Sequence, residues 1–351
     1  MRRSLLGAAA LAAGAVGGAV LGYLAERTVV DPAAEPDPGD DLAGVERRDV
    51  HSFDGTRLTV LSSGPPDAPC IVLIHGLSLS HEIWVAQHTA LSSRYRVTAV
   101  DLRGHGDSDD AVNGDYSTEA LGADVAAVLD TLAGRRCMLV GHSMGGMALL
   151  AALAARPELA TGQVAGVTLI NTAAAAVISG LGGGSLAAGI AYARERALST
   201  RVGRALYGGV DDTGHPRGND IATLVTRTLG VGADAPERAV IKLRRLILNS
   251  RPHVAGEMWR TAGTVDLMDV AATLTVPVLI IAGARDRVLP PLHSRRLAGK
   301  IADAELVELE GVGHVAMMER PDDVTALLER FTQRVIDGAD GDEGLRRAAT
   351  G

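Results

Sequence analysis

Short apolar runs that alternate with helical patterns constrain this chain most. Cys70–Ile74, Cys137–Val140, Val164–Ile170 and Val276–Ala282 are such runs, each bounded by polar or turn-forming residues. Runs that lack a polar face belong to strands buried on both sides, which occur in parallel sheets covered by helices. Strand patterns recur near 45–52, 56–62, 70–75, 97–101, 137–142, 164–170, 276–282 and 304–309. Helical patterns intervene near 81–92, 117–132, 144–156, 292–301 and 321–336. The expected fold class is therefore α/β, a mostly parallel central sheet of about eight strands flanked by helices.

One strand-to-helix junction carries chemistry. Gly141-His142-Ser143-Met144-Gly145 fits G-x-S-x-G, with an apolar strand before it and an Ala- and Leu-rich helix after it. A serine at so tight a turn is held in a strained conformation, and Gly141 and Gly145 keep Cβ atoms out of the bend. The hydroxyl then stands over the sheet edge at a helix N-terminus, where developing negative charge is favoured.

A serine hydroxyl needs a base, and the base needs an orienting group. In this architecture they follow in the order Ser, Asp or Glu, His. Asp286 lies in the loop after the strand 276–282, and His314 lies in the loop after 304–309. Those strand ends form the rim where catalytic groups collect in open α/β sheets. The expected catalytic residues are Ser143, Asp286 and His314.

With these residues in place, the chain resembles the α/β-hydrolase superfamily over roughly 46–337. The resemblance extends to Leu73-Ile-His75-Gly76-Leu77 and to Asp101-Leu-Arg-Gly104-His105-Gly106-Asp-Ser108. By position, it implies an oxyanion hole made by the backbone N–H groups of Leu77 and Met144. Gly76, Gly141, Gly145 and His75 would support the elbow and the loop. His75 and His105 read best as residues that shape loops by bonding backbone. Relatives that open epoxides or displace halide use an aspartate at the elbow; Ser143 points instead to acyl transfer. The leading expectation is a carboxylic-ester hydrolase of esterase or lipase type. A thioesterase, a carbon–carbon bond hydrolase and a cofactor-free perhydrolase use the same three residues, and a non-catalytic binding protein is the reading from a different class.

Nothing in the sequence asks for a cofactor. The ten histidines show no His-Glu-x-x-His spacing or Cys/His cluster, so no metal site is expected. The glycines from Gly180 to Gly184 follow helix-like sequence rather than a strand, and read as a loop, not a phosphate cradle. A formal net charge of −8 offers no basic footprint for nucleic acid. The expected partners are a small-molecule ester or lipid and, through the N-terminus, a membrane.

The expected organisation has five parts. Residues 1–25 form a signal anchor or signal peptide, 26–45 an acidic Pro-rich linker, and 46–172 with 263–337 the hydrolase core. Residues 173–262 form the inserted helical cap that the resemblance implies, with Met258 and Trp259 as substrate contacts or, more simply, packing residues. Residues 338–351 form a disordered tail. The run from Ser4 to Ala25 is uncharged and long enough to span a bilayer, and follows Arg2-Arg3. The positive-inside rule then places the enzyme outside the cytoplasm on a single N-terminal anchor. Secretion after cleavage and a tail on a cytosolic enzyme are the alternatives. Cys70 and Cys137 begin two strands that are neighbours in the family's usual order. A bridge between parallel neighbours is strained, so two free buried thiols are expected.

Overall fold

The computed structural model describes residue 42, residues 44–132, 134–175, residue 223 and residues 226–349. For residue 252 and for 337–349 it describes the backbone alone. The strands are β1 Glu46–His51, β2 Arg57–Ser63, β3 Cys70–Ile74, β4 Arg96–Val100, β5 Cys137–His142, β6 Val164–Ile170, β7 Val278–Gly283 and β8 Ala304–Leu309. They form one eight-stranded sheet in the order β1-β2-β4-β3-β5-β6-β7-β8. β1 pairs with β2, and β2 with β4, antiparallel; from β4 to β8 every pairing is parallel.

The helices are α1 Val85–Leu91, α2 Thr118–Asp130, α3 Met144–Ala155, α4 Glu158–Gly162 and α5 Glu237–Asn249. They continue with α6 Pro252–Ala262, α7 Met268–Ala272, α8 Leu292–Ala298, α9 Ala316–Glu319 and α10 Pro321–Ala349. The side-chain period of two in a strand explains why the central runs are apolar throughout. Val72, Ile74 and Leu139 join one buried cluster with Leu121 and Val125 of α2 and Leu149 of α3. Ile71, Leu73, Met138 and Val140 join a second cluster with Leu328 and Phe331 of α10. Each face of the sheet is thus covered by its own helices.

Arg103, in the loop after β4, is buried at the edge of this core. Its guanidinium donates to Asp124 Oδ2 at 2.7 Å and Oδ1 at 2.6 Å, and also to Asp54, Ser52 and the Asp115 carbonyl. One cation therefore joins the β1–β2 turn, the β4 loop and α2.

Cys70 and Cys137 are register partners at the starts of β3 and β5, and both are free and buried. Helix α10 continues to Ala349, so the backbone is helical through most of the stretch expected as a tail, 338–351. That stretch has no proline, and Leu345 to Ala349 are good helix formers. Residues 1–25, most of the linker 26–45, and 176–222 of the expected cap, including Gly180 to Gly184, lie outside the described residues. Among the described residues no helix is long and apolar enough to cross a membrane.

Candidate active site

Because β3, β5, β6, β7 and β8 run parallel, the loops after them emerge at one edge of the sheet. Ser143 sits there between β5 and α3 with φ 51° and ψ −119°. A non-glycine residue in that region costs on the order of 1–3 kcal/mol, so its surroundings must hold it. They do so at both ends of the residue. The Ser143 N–H donates to the Ile170 carbonyl at 3.0 Å. The Ser143 carbonyl accepts from Thr172 Oγ1 at 2.6 Å and from the Gly146 N–H at 3.0 Å.

Close backbone approach explains the flanking glycines. A Cβ on Gly145 would lie 2.4 Å from the Ile74 carbonyl oxygen, and one on Gly141 would lie 2.6 Å from the Gly146 Cα. A Cβ on Gly76 would lie 2.9 Å from the Ser143 Cβ, which puts the backbone of the 75–77 loop directly against the serine. Met144 is the first residue of α3, so its N–H belongs to the amides that a helix leaves without an intrahelical partner. The Gly76 backbone thus lies against Ser143 on one side, and the first turn of α3, beginning at Met144, follows it on the other. His75 Nδ1 donates to the Gly76 carbonyl at 2.7 Å and its Nε2 accepts from the Leu102 N–H at 3.0 Å. His105 Nδ1 donates to the Arg103 carbonyl, and its Nε2 accepts from the Ser78 N–H at 3.0 Å. Both rings brace the loop.

The structure brings the three expected side chains together. His314 Nε2 lies 3.1 Å from Ser143 Oγ, and its Nδ1 lies 2.8 Å from Asp286 Oδ2. An ionised carboxylate only accepts, so Nδ1 carries the hydrogen and Nε2 presents a lone pair to the serine hydroxyl. Asp286 Oδ1 accepts from the N–H groups of Val288 and Leu289, both at 2.8 Å. Ser143 and His314 are each 9 % exposed.

Three further residues, not singled out by the sequence, complete the array. Asn171, at φ 46° just past β6, donates to Asp286 Oδ2 at 2.9 Å and to the Gly313 carbonyl at 2.7 Å. Its own side-chain oxygen accepts from the Gly283 N–H at 3.0 Å. Thr172 holds the elbow, as described. His142 is fully buried, and its Nε2–H donates to the His314 carbonyl at 2.8 Å, with the two rings 4.8 Å apart. Burial and the neighbouring His314 push the His142 pKa well below the usual histidine range, so it stays neutral. Its Nδ1 is buried without a partner. The visible signal for Asn171 and Thr172 was their place at a strand's C-terminal end, the rim that also holds Asp286 and His314.

Met258 is buried in the cluster on the α2 and α3 face of the sheet. Trp259 is partly buried against Met147, Ala173, Ala262, Val265 and Leu289.

Comparison with known proteins identifies the fold. The family model for the alpha/beta hydrolase fold matches residues 69–321. The chain is 31% identical over 315 residues to epoxide hydrolase A of Mycobacterium tuberculosis, covering 79% of this chain and 94% of that one. It superposes on an esterase from a Rhodococcus species with a TM-score of 0.69 at 25% identity, covering 82% of this chain and 99% of the other. It also superposes on an enol-lactonase from Burkholderia xenovorans with a TM-score of 0.65 at 30% identity, covering 82% and 100%. The chain belongs to the α/β-hydrolase fold family.

Proposed function

We propose that this hydrolase cleaves carboxylic esters through an acyl-enzyme on Ser143. The observation that carries the reading is the continuous chain from Ser143 Oγ through His314 to Asp286, with contacts of 3.1 and 2.8 Å. Ser143 Oγ attacks the ester carbonyl carbon as His314 Nε2 takes its proton. Negative charge collects on the carbonyl oxygen, where the N–H groups of Leu77 and Met144 stabilise it. His314 then returns the proton to the leaving alcohol. A water, deprotonated by the same nitrogen, releases the acid and restores the hydroxyl.

A carboxylate nucleophile, as in epoxide-opening relatives, is replaced here by a hydroxyl, which supports acyl transfer over epoxide opening. The likeness to an esterase and to an enol-lactonase favours an ester or lactone over a thioester. The cluster of Met147, Ala173, Val265 and Leu289 suits an acyl wall. Met147 follows Ser143 by one helical turn, and Leu289 hydrogen-bonds Asp286.

The test is labelling with a fluorescent fluorophosphonate, followed by turnover of p-nitrophenyl esters of increasing chain length. Labelling and turnover that both vanish in Ser143→Ala support the reading. A folded wild-type protein that is neither labelled nor active on any ester overturns it.

We further propose that residues 1–25 anchor the enzyme to a membrane, with the catalytic part outside the cytoplasm. The uncharged run after Arg2-Arg3 supports this. Full-length protein that washes off membranes in alkaline carbonate, without loss of its N-terminus, would refute the anchor.

A further inference from the structure

Glu319, the last residue of α9, is 4 % exposed and spends its carboxylate on backbone amides. Its Oε2 accepts from the Gly232 N–H at 2.8 Å and the Gly313 N–H at 3.0 Å. Its Oε1 accepts from Gly313 at 3.0 Å and from the Val315 N–H at 3.3 Å. Gly313 and Val315 flank His314 on either side. Gly232 belongs to a different segment, the Thr226–Val231 stretch and its continuation, which leads into α5.

These two segments touch backbone to backbone. A Cβ on Gly232 would lie 1.8 Å from the Gly311 carbonyl oxygen, and one on Gly313 would lie 2.4 Å from the Val231 carbonyl carbon. The His314 N–H donates to the Gly230 carbonyl at 3.1 Å. Arg287, next to Asp286, donates to the Thr228 carbonyl at 2.6 Å. The loops of the base and the acid are therefore both tied to 228–232, and Glu319 is the side chain that joins the base loop to it.

We propose that Glu319 is a positioning residue for His314: one buried carboxylate clamps Gly313 and Gly232 together, so the aim of the imidazole at Ser143 depends on the seating of 228–232. The consequence for turnover rests on the serine-hydrolase reading; the clamp itself does not. A misplacement of about 1 Å at a reacting group can cost on the order of 100-fold in rate, without loss of substrate binding.

The experiment compares Glu319→Gln, Gly232→Ala and the double variant with wild type. The glutamine keeps the volume but turns an amide donor toward one of three N–H groups. Each single variant is expected to lower kcat on a p-nitrophenyl ester by about 10- to 100-fold with KM near the wild-type value. The double variant should lose no more than the worse single, since both break one clamp. Wild-type kcat in either folded variant, a loss confined to KM, or losses that multiply would overturn the proposal. If Glu319→Gln does not fold, Glu319→Asp, which keeps the charge but shortens the carboxylate's reach to the Gly232 and Gly313 N–H groups, decides by the same readout. Amide hydrogen exchange gives a reading independent of any substrate. In Glu319→Gln, or in Gly232→Ala, exchange should quicken in both 226–232 and 311–315 while Cys137–His142 stays protected. Unchanged exchange in either segment refutes the clamp. A folded wild-type protein that is neither labelled by a fluorophosphonate nor active on any ester refutes acyl transfer and leaves the exchange result standing.

Discussion

Asn171 and His314 share one oxygen: Asp286 Oδ2 accepts from Asn171 Nδ2 at 2.9 Å and from His314 Nδ1 at 2.8 Å. The asparagine also holds the Gly313 carbonyl, so a single amide is bound both to Asp286 and to the residue preceding His314. The end of β6 thereby acts on the site from below, through Asn171 on the acid side and Thr172 on the elbow side.

Asn171→Ala is expected to lower kcat by about 10- to 100-fold, because the acid loses a partner and the His314 loop loses an anchor. It should also lower stability, since the buried Gly283 N–H and Gly313 carbonyl lose partners at about 1–3 kcal/mol each. Steady-state kinetics and guanidinium unfolding measure the two effects. Wild-type kcat would show that Val288 and Leu289 suffice to hold Asp286.

Asp286→Asn should be more severe. The new amide would face two donors, Asn171 Nδ2 and the His314 Nδ1–H, where the carboxylate accepted from both. The ring then turns to the tautomer that offers Ser143 a hydrogen instead of a lone pair. A loss of turnover approaching about 10,000-fold is the magnitude seen when such an acid becomes an amide in serine proteases. Substrate binding should change far less. An unchanged kcat would remove Asp286 from the mechanism.

Acid should weaken the fold through buried neutral histidines. Burial holds His88 down at about 4 and His105 down at about 3, and pushes His142 well below the usual range. An unfolded histidine takes a proton near about pH 6.5, so below that pH the unfolded chain binds more protons. The stabilisation is present above about pH 6.5 and is lost as pH falls toward the folded values, by up to about 1.4 kcal/mol per pH unit for each ring. His81, raised by its hydrogen bond to Asp101 against the cost of burial, works in the opposite sense. Unfolding free energies measured from about pH 7 down to about pH 5 should fall, and His88→Gln, away from the site, should flatten that slope. An unchanged slope would mean that His88 is protonated in the fold.

Asp124→Ala tests the buried cation. It strips Arg103 of its two shortest carboxylate contacts inside the core. Breaking such a pair from one side costs about 3–5 kcal/mol, because the remaining charge stays buried. Replacing both residues with apolar ones of similar volume should cost less. A single-variant loss below about 1 kcal/mol would show that Asp54 and Ser52 satisfy Arg103 unaided.

The sequence alone determined the strands and the elbow. Runs such as Cys70–Ile74 suit strands covered on both faces, and Gly141 to Gly145, set between an apolar run and an Ala- and Leu-rich one, suits a sharp strand-to-helix turn. The order Ser143, Asp286, His314 and the placement of each after its own strand were equally local facts. Tertiary structure decided what holds them. Asn171 lies 115 residues from Asp286 and 142 from Gly313, and Glu319 lies 87 from Gly232. Such bonds leave no periodicity and need no motif, since any loop amide can meet any buried acceptor once the sheet order sets them side by side. His142 illustrates the limit: in the sequence it is one of the two unspecified residues of G-x-S-x-G. Only the packing of β8's loop against β5 makes it a donor to the His314 carbonyl. Short-range patterns specify which chain segments reach the rim, whereas the fixed aim of their side chains comes from contacts made by distant backbone.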